Sequence, residues 1–354
     1  PIYLAFAVSL VLSLGLVLTA RWHERFSADQ GHGIQKLHLV TAPRVGGAAI
    51  FVGVAAAYAA ASAEHAAILG PLWIAGCVAF AFGLLEDLTK RVPVSMRLLA
   101  TILSGVVGWA ITGMSLHRIG QPWVDDLLSH QGISVLLTAF AIGGIANAIN
   151  IIDGFNGLAS GYSILAMACL AAIAHSVGDT SLAMLCSVLA CAIAGFFFLN
   201  WPWGKLFLGD GGAYFMGFAL AWACVLMVER NDCISPFAML LVCSYPITEV
   251  LFSIYRRKMR HVAPGRPDCL HLHSLIMRRH IRSCMDSRWA NPITGLIVVA
   301  LTTPSLLMAY VLREHTLASI GGYLLVVLCY LTLYARIVKF RWAAPFCFFQ
   351  PKPR

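Results

Sequence analysis

The stretch from Asn147 to Gly161 reads Asn-Ala-Ile-Asn-Ile-Ile-Asp-Gly-Phe-Asn-Gly-Leu-Ala-Ser-Gly, with long apolar segments on either side, residues 132–149 and 158–176. Asn147, Asn150 and Asp153 recur every three residues, so a helix end would set them on neighbouring faces of successive turns. Asp153-Gly154 and Asn156-Gly157 are turn dipeptides whose glycines let the backbone come close to a ligand. For the fold, the stretch reads as one helix's C-cap and the next helix's N-cap. For function, a carboxylate and three amides at a membrane mouth cost stability there unless they bind something.

The whole chain agrees that the flanking segments cross a membrane. Of 354 residues, 59% are hydrophobic and 12% charged, with a mean hydropathy of +0.79. Soluble domains carry about 25% charged residues. The expectation is an all-α polytopic membrane protein forming one domain over residues 1–354, with no soluble domain beside it. The eleven cysteines lie mostly within apolar runs (Cys77, Cys169, Cys186, Cys191, Cys224, Cys243, Cys329). They read as small apolar helix residues and not as a disulfide framework.

Candidate spans fall at residues 2–20, 47–62, 67–85, 98–116, 132–149, 158–176, 181–199, 213–228, 236–254, 293–312 and 317–335, eleven in all. The first lacks a basic region ahead of it and is expected to be a membrane helix, not a cleaved signal. The connections alternate sides. Of the 25 Lys and Arg, 22 fall on one set of connections, while Arg118, Arg230 and Arg313 fall on the other. The positive-inside rule gives the richer set to the cytoplasm, with the N-terminus outside and the C-terminus inside. The formal charge of +9 is then a topological and lipid-facing signal, which speaks against nucleic acid as a partner.

Every chemically distinctive stretch falls on that cytoplasmic side. Gln35-Lys36-Leu-His38 precedes Pro43-Arg44-Val-Gly46-Gly47 at a helix entry. A basic residue and glycine amides there can hold a phosphate, the alternative being a plain Pro/Gly entry turn. Glu86-Asp87 closes a helix ahead of Lys90-Arg91, as a cation or proton-transfer site or as a salt-bridged helix end. After the Asn147–Gly161 stretch comes Asn200-Trp-Pro-Trp-Gly-Lys205-Leu-Phe-Leu-Gly209-Asp210-Gly211-Gly212. Asp210 lies beside an amide nest at a helix mouth, which suits a divalent cation bridging to phosphates, or helix capping, or both. Last, residues 255–292 form a long loop carrying Arg266, Cys269, His271, His273, His280 and Cys284. The spacing is not that of a Cys/His zinc site. Imidazole donors with Arg266 suit a diphosphate better, and residues 274–282 are expected as an amphipathic helix at the membrane surface.

Together these stretches resemble the polyprenyl-phosphate N-acetylhexosamine-1-phosphate transferases, in order and in side of the membrane, from about Lys36 to His280. The Asn147–Gly161 stretch and Leu206-Phe-Leu-Gly-Asp210-Gly-Gly are the specific parts; the Pro-Arg-x-Gly-Gly entry and His271-Leu-His273 support them. The resemblance implies a bundle of about eleven transmembrane helices with a cytoplasmic active-site cleft in a bacterial inner membrane. It implies Mg²⁺-dependent transfer, with Mn²⁺ as an alternative ion, of a sugar 1-phosphate from a UDP-sugar to undecaprenyl phosphate. UMP is released and a lipid-linked cell-envelope glycan begins. Membrane lipid is the surrounding partner and a homodimer the candidate assembly.

Carried over residue by residue, the resemblance makes Asp87, Glu86, Asp153 and Asp210 the catalytic set. Asp210 and Asp153 are the metal ligands, and Asp87 would position or deprotonate the lipid phosphate. Arg44, Asn147, Asn150, Asn156, Asn200, Lys205, Arg266, His271 and His273 are the substrate-binding set. Four positions depart from the family pattern. Glu86 replaces the first Asp of a pair, Asn156 replaces an acid of the Asn-x-x-Asp-Gly-x-Asp-Gly signature, and Ser274 replaces a third histidine. Cys269 stands where relatives often have Arg. These leave the reaction class intact and the sugar open. The reading from a different class is a secondary transporter of an anionic solute, which needs an acid near the bilayer midplane. Glu249 is the one acid deep enough within a span to serve it.

Overall fold

The computed structural model describes residues 1–22, 42–261 and 270–339, and among them there are helices and no strand. In chain order these are α1 (Ile2–Leu18), α2 (Gly46–Ala59), α3 (Ala63–Thr89), α4 (Val94–Thr112), α5 (Pro122–Leu128), α6 (Gln131–Ile152), α7 (Leu158–Ser176) and α8 (Thr180–Asn200). There follow α9 (Gly209–Arg230), α10 (Pro236–Val242), α11 (Ser244–Met259), α12 (Leu272–Ile276), a π turn over Met277–Ile281, α13 (Arg282–Cys284), α14 (Ser287–Val311) and α15 (Thr316–Val338). Eight of them, α3, α4, α6, α7, α8, α9, α14 and α15, are long and apolar enough to cross a membrane. α10 and α11 pass that test together but are bent by 78°, and α1 and α2 are shorter apolar helices. Against the eleven expected spans, the described helices give eight of full spanning length, or nine if the bent pair is one span.

The bundle is built around α9. From Ala213 to Val228 this helix carries no charged side chain. A helix apolar on all faces is stable only when surrounded, and every residue from Gly209 to Val228 is buried. Small residues set how close its neighbours come. A Cβ on Gly217 would lie 2.6 Å from the Cα of Ala146 on α6, and one on Gly47 of α2 would overlap the backbone of Gly212. Lipid is as apolar as the helices, so close packing and its dispersion contacts hold such a bundle. Phe51 of α2 stacks on Phe80 of α3 at 4.1 Å between ring centroids and meets Phe215 of α9 edge-on at 5.1 Å.

Three expectations change here. Gly46 and Gly47 donate their amides to the carbonyls of Phe207 and Leu208 at 2.9 and 2.8 Å, so the paired glycines dock α2 on the α8–α9 loop and do not offer a phosphate cradle. The loop expected over residues 255–292 is shorter: α11 runs on to Met259, α14 begins at Ser287, and much of the part between is helical. Within it Leu272, Leu275, Ile276, Met277 and Ile281 are buried against the bundle, so this segment packs into the protein instead of lying on the surface.

Candidate active site

One end of the bundle gathers the C-terminal ends of α3, α6 and α8 and the N-terminal ends of α2, α4, α7 and α9. Asp210, in the first turn of α9, is 6% exposed and sits at the centre. One carboxylate oxygen accepts from Arg44 and from Asn150, each at 3.2 Å, and the other pairs with Arg97. Asn150 reaches it from the last turn of α6. Arg97 was not among the expected site residues. It stands in the first turn of α4, and the sequence offered only its positive charge, which a topology count absorbs.

Asp87, 1% exposed in the last turn of α3, turns both carboxylate oxygens to the backbone. They accept from the amides of Asp210 and Gly211, each at 2.9 Å. The amide nest that suggested an anion site is therefore filled by the protein's own carboxylate. Arg44 stands 3.9 Å from it and Lys90 donates to its carbonyl at 2.7 Å. Adjacent helix residues point about 100° apart, and Glu86 accordingly faces elsewhere: it accepts from the amide of Val92 at 2.8 Å and ties down the α3–α4 turn.

Asp153 caps α6. It is partly open, yet protein surrounds its carboxyl closely. Burial pushes its pKa well above the ordinary carboxylate value, Arg44 pulls it down, and Asp210 and Asp87 push it further up. The asparagines divide. Asn147 donates to Thr101 at 3.1 Å and to the carbonyl of Gly143 at 2.8 Å, joining α6 to α4. Asn156 donates its backbone amide to Asn291 on α14 at 2.8 Å and its side-chain amide to Pro202 at 3.2 Å. Asn200 accepts from the amide of Gly157 at 2.7 Å and donates to Leu206 at 2.9 Å. Asn156 and Asn200 brace the loops at this end and Asn147 braces two helices, while Asn150 alone of the four meets the carboxylate cluster. Lys205 is exposed, its ammonium 5.4 Å from the Trp203 ring centroid. Arg266, with Lys36, His38 and Cys269, lies outside the described residues.

His271 and His273 lie against this centre, their rings stacked at 5.3 Å. His273 meets Phe155 edge-on at 5.3 Å, and its Nε2 would stand 3.7 Å from a Cβ on Gly154, so His273 faces the Asp153 turn. Glu249 accepts from Nδ1 of His271 at 3.0 Å and from the amide of Leu272 at 3.2 Å. The acid that favoured a transporter thus holds a histidine in place.

Among the described residues no group of three or more His, Cys, Asp or Glu is arranged to hold a metal ion, and Cys284 is disulfide-bonded. Mg²⁺ asks for less, since one or two carboxylates with water and substrate phosphate suffice. Asp210 and Asp153 are hard oxygen donors of the kind that ion takes.

The sequence model of glycosyl transferase family 4 matches residues 69–228, the span from α3 through most of α9. A Bacillus subtilis (strain 168) protein named probable undecaprenyl-phosphate N-acetylglucosaminyl 1-phosphate transferase is 28% identical over 279 residues, covering 78% of this chain and 77% of its own. The undecaprenyl-phosphate alpha-N-acetylglucosaminyl 1-phosphate transferase of Yersinia pestis is 30% identical over 252 residues, 69% of this chain and 68% of its own. The protein of that name from Escherichia coli (strain K12) is 30% identical over 253 residues, 69% and 67%. Asp87, Arg97, Asn150 and Asp210 lie within the matched span and Arg44 ahead of it, and the chain belongs to glycosyl transferase family 4, among the polyprenyl-phosphate N-acetylhexosamine-1-phosphate transferases.

Proposed function

We propose that this protein transfers a sugar 1-phosphate, of the N-acetylhexosamine class such as GlcNAc 1-phosphate, from a UDP-sugar to undecaprenyl phosphate. UMP leaves, and the product starts a lipid-linked cell-envelope glycan. The observation that carries this reading is the Asp210 carboxylate held between Arg44 and Arg97, in a chain related to transferases named for that acceptor. The active-site end is proposed to face the cytoplasm, where UDP-sugars occur and the basic residues concentrate.

Joining two phosphate anions requires that their charge be neutralised and that the lipid phosphate be held in line with the β-phosphorus of the donor. Arg44 and Arg97 supply two guanidinium groups suited to bidentate phosphate contacts. Asp210 holds both in place until a diphosphate competes for them. Mg²⁺, held by Asp210 and Asp153, would add electrostatic stabilisation of the diphosphate. Asp87 acts one step back: by binding the amides of Asp210 and Gly211 it fixes the turn that aims Asp210. A phosphate monoester is largely ionised near neutral pH, so positioning matters more than a dedicated base. Asn150 orients Asp210 from the α6 side.

The test is UMP release by purified protein from a panel of UDP-sugars, with and without undecaprenyl phosphate. Release that depends on the acceptor supports the reading and identifies the sugar. No release with any donor, or release without the acceptor, overturns it.

A further inference from the structure

Behind the two histidines lies a polar group buried more deeply than any function given to it so far explains. Glu249 is 0% exposed on α11, in a helix otherwise packed on its inner side by Tyr245, Thr248 and Ser253. An uncompensated carboxylate there would cost several kcal/mol. Its partners are specific: Nδ1 of His271 at 3.0 Å, and the amide of Leu272 at 3.2 Å to each oxygen. One turn earlier on the same helix, the hydroxyl of Tyr245 lies 3.0 Å from Nδ1 of His273. Both stacked imidazoles are therefore engaged at Nδ1 from α11, and the Nε2 edge of His273 is turned to Gly154.

We infer that Glu249 and Tyr245 are positioning residues that fix the ring orientation of His271 and His273 and present their Nε2 edges to the phosphate groups of the substrates. An ionised carboxylate only accepts, so Glu249 holds the proton of His271 on Nδ1. Nε2 then carries the lone pair and can take a proton from a phosphate, or, once protonated, can donate a charge-assisted bond to a phosphoryl oxygen. Such an outer partner sets both tautomer and aim of a working histidine. The break between α10 and α11 serves the same end, since the 78° bend starts a fresh helix whose first turns carry Tyr245 and Glu249.

This inference rests on the transferase reading, and its test separates the two. Glu249→Gln keeps the shape and removes the charge. Expected are a fall in kcat of at least about tenfold with KM for both substrates within about threefold, and little further loss when Glu249→Gln is added to His271→Ala. Equal factors in the two backgrounds, or a parent kcat, would overturn it. A second readout needs no turnover: the ¹⁵N imidazole signals of His271, assigned by their loss in His271→Ala, must move in Glu249→Gln. Tyr245→Phe must move those of His273 and leave those of His271 in place. Should the parent release no UMP, the transferase reading fails, while the imidazole spectra still decide the positioning: unmoved signals overturn it. If Glu249→Gln does not fold, Tyr245→Phe, which loses one hydroxyl, carries the test through His273.

Discussion

Asp210 faces two guanidinium groups, and that pairing sets what its replacement should do. Asp210→Asn keeps the shape and the bond from Asn150 but removes one negative charge from beside Arg44 and Arg97. Turnover should fall at least about a hundredfold, near 2.7 kcal/mol in barrier, with the melting curve in detergent still cooperative. A variant within about threefold of the parent would remove Asp210 from the chemistry. Asp87→Asn offers one carbonyl oxygen where two amides donate, leaving a buried amide facing an NH₂ group at a cost of about 1–3 kcal/mol. UMP release should fall at least about tenfold. Glu86→Asp loosens one bond, to Val92, and should retain most activity; equal losses in the two variants would make Glu86 a full member of the site. The residues that sequence could locate are those whose type is costly where they stand: Asp210, Asp87, Asn150 and the two histidines. Arg97 was hidden because an arginine near a membrane surface already has a topological explanation. Glu249 was visible but misread, because its partner is 22 residues on and no local pattern joins them.

At the scale of the helices, the apolar runs were legible from hydropathy, whereas the α10–α11 break was not drawn although its cause is in the sequence. Pro246 has no amide to give the carbonyl of Val242, and its ring crowds that carbonyl. The chain ends α10 at Val242 and starts α11 at Ser244, leaving proline in a first turn, where it is tolerated. The hydroxyl of Tyr162, buried on α7, donates to that carbonyl instead. Tyr162→Phe should therefore lower stability by about 1–3 kcal/mol, the cost of an unpaired buried carbonyl, read as a lower midpoint of thermal unfolding in detergent. A midpoint unchanged from the parent would show that the break does not need this bond. The helix entry at Gly46 and Gly47 stayed open between a phosphate cradle and a plain turn for a related reason. Glycine amides look the same in sequence whether they await a ligand or a neighbouring loop, and only the carbonyls of Phe207 and Leu208 decide it.

Across the whole molecule, charge is divided between the two ends of the bundle. Arg44, Lys90 and Arg97 cluster at the active-site end, and Arg256 and Arg279 bond Tyr334 and the carbonyl of Ile337 near the histidines. The three residues counted on the poorer side lie together at the opposite end and are largely consumed there. Arg118 donates to the carbonyls of Val228 and Asn231 at 2.8 and 3.0 Å, and Arg230 grips Asp179 through two bonds of 2.7 and 2.8 Å. Arg313 donates to the carbonyl of Tyr310 at 2.9 Å and pairs with Glu314 at 3.1 Å. Anionic lipid at the cytoplasmic face attracts juxtamembrane basic residues by about 1 kcal/mol each, so the richer end is expected inside. Reporter fusions after Asp179, Asp232 and Glu314 should then report the outer face, and fusions after Lys90, Lys205 and Arg260 the cytoplasm. A cytoplasmic signal at Asp179 would overturn this orientation and remove the active site from the compartment that holds UDP-sugars. Arg230→Ala should leave the orientation unchanged, because the asymmetry rests on 22 residues against three. It should cost stability instead, since Asp179 also accepts from the amide of Leu182 as the N-cap of α8 and would keep only that partner and Asn231. With the arginine 33% exposed, the loss is expected near 1 kcal/mol, measured as a small drop in unfolding midpoint with unaltered fusion signals. A flipped reporter pattern in Arg230→Ala would show instead that this one pair, and not the summed charge, sets how the protein sits in the membrane.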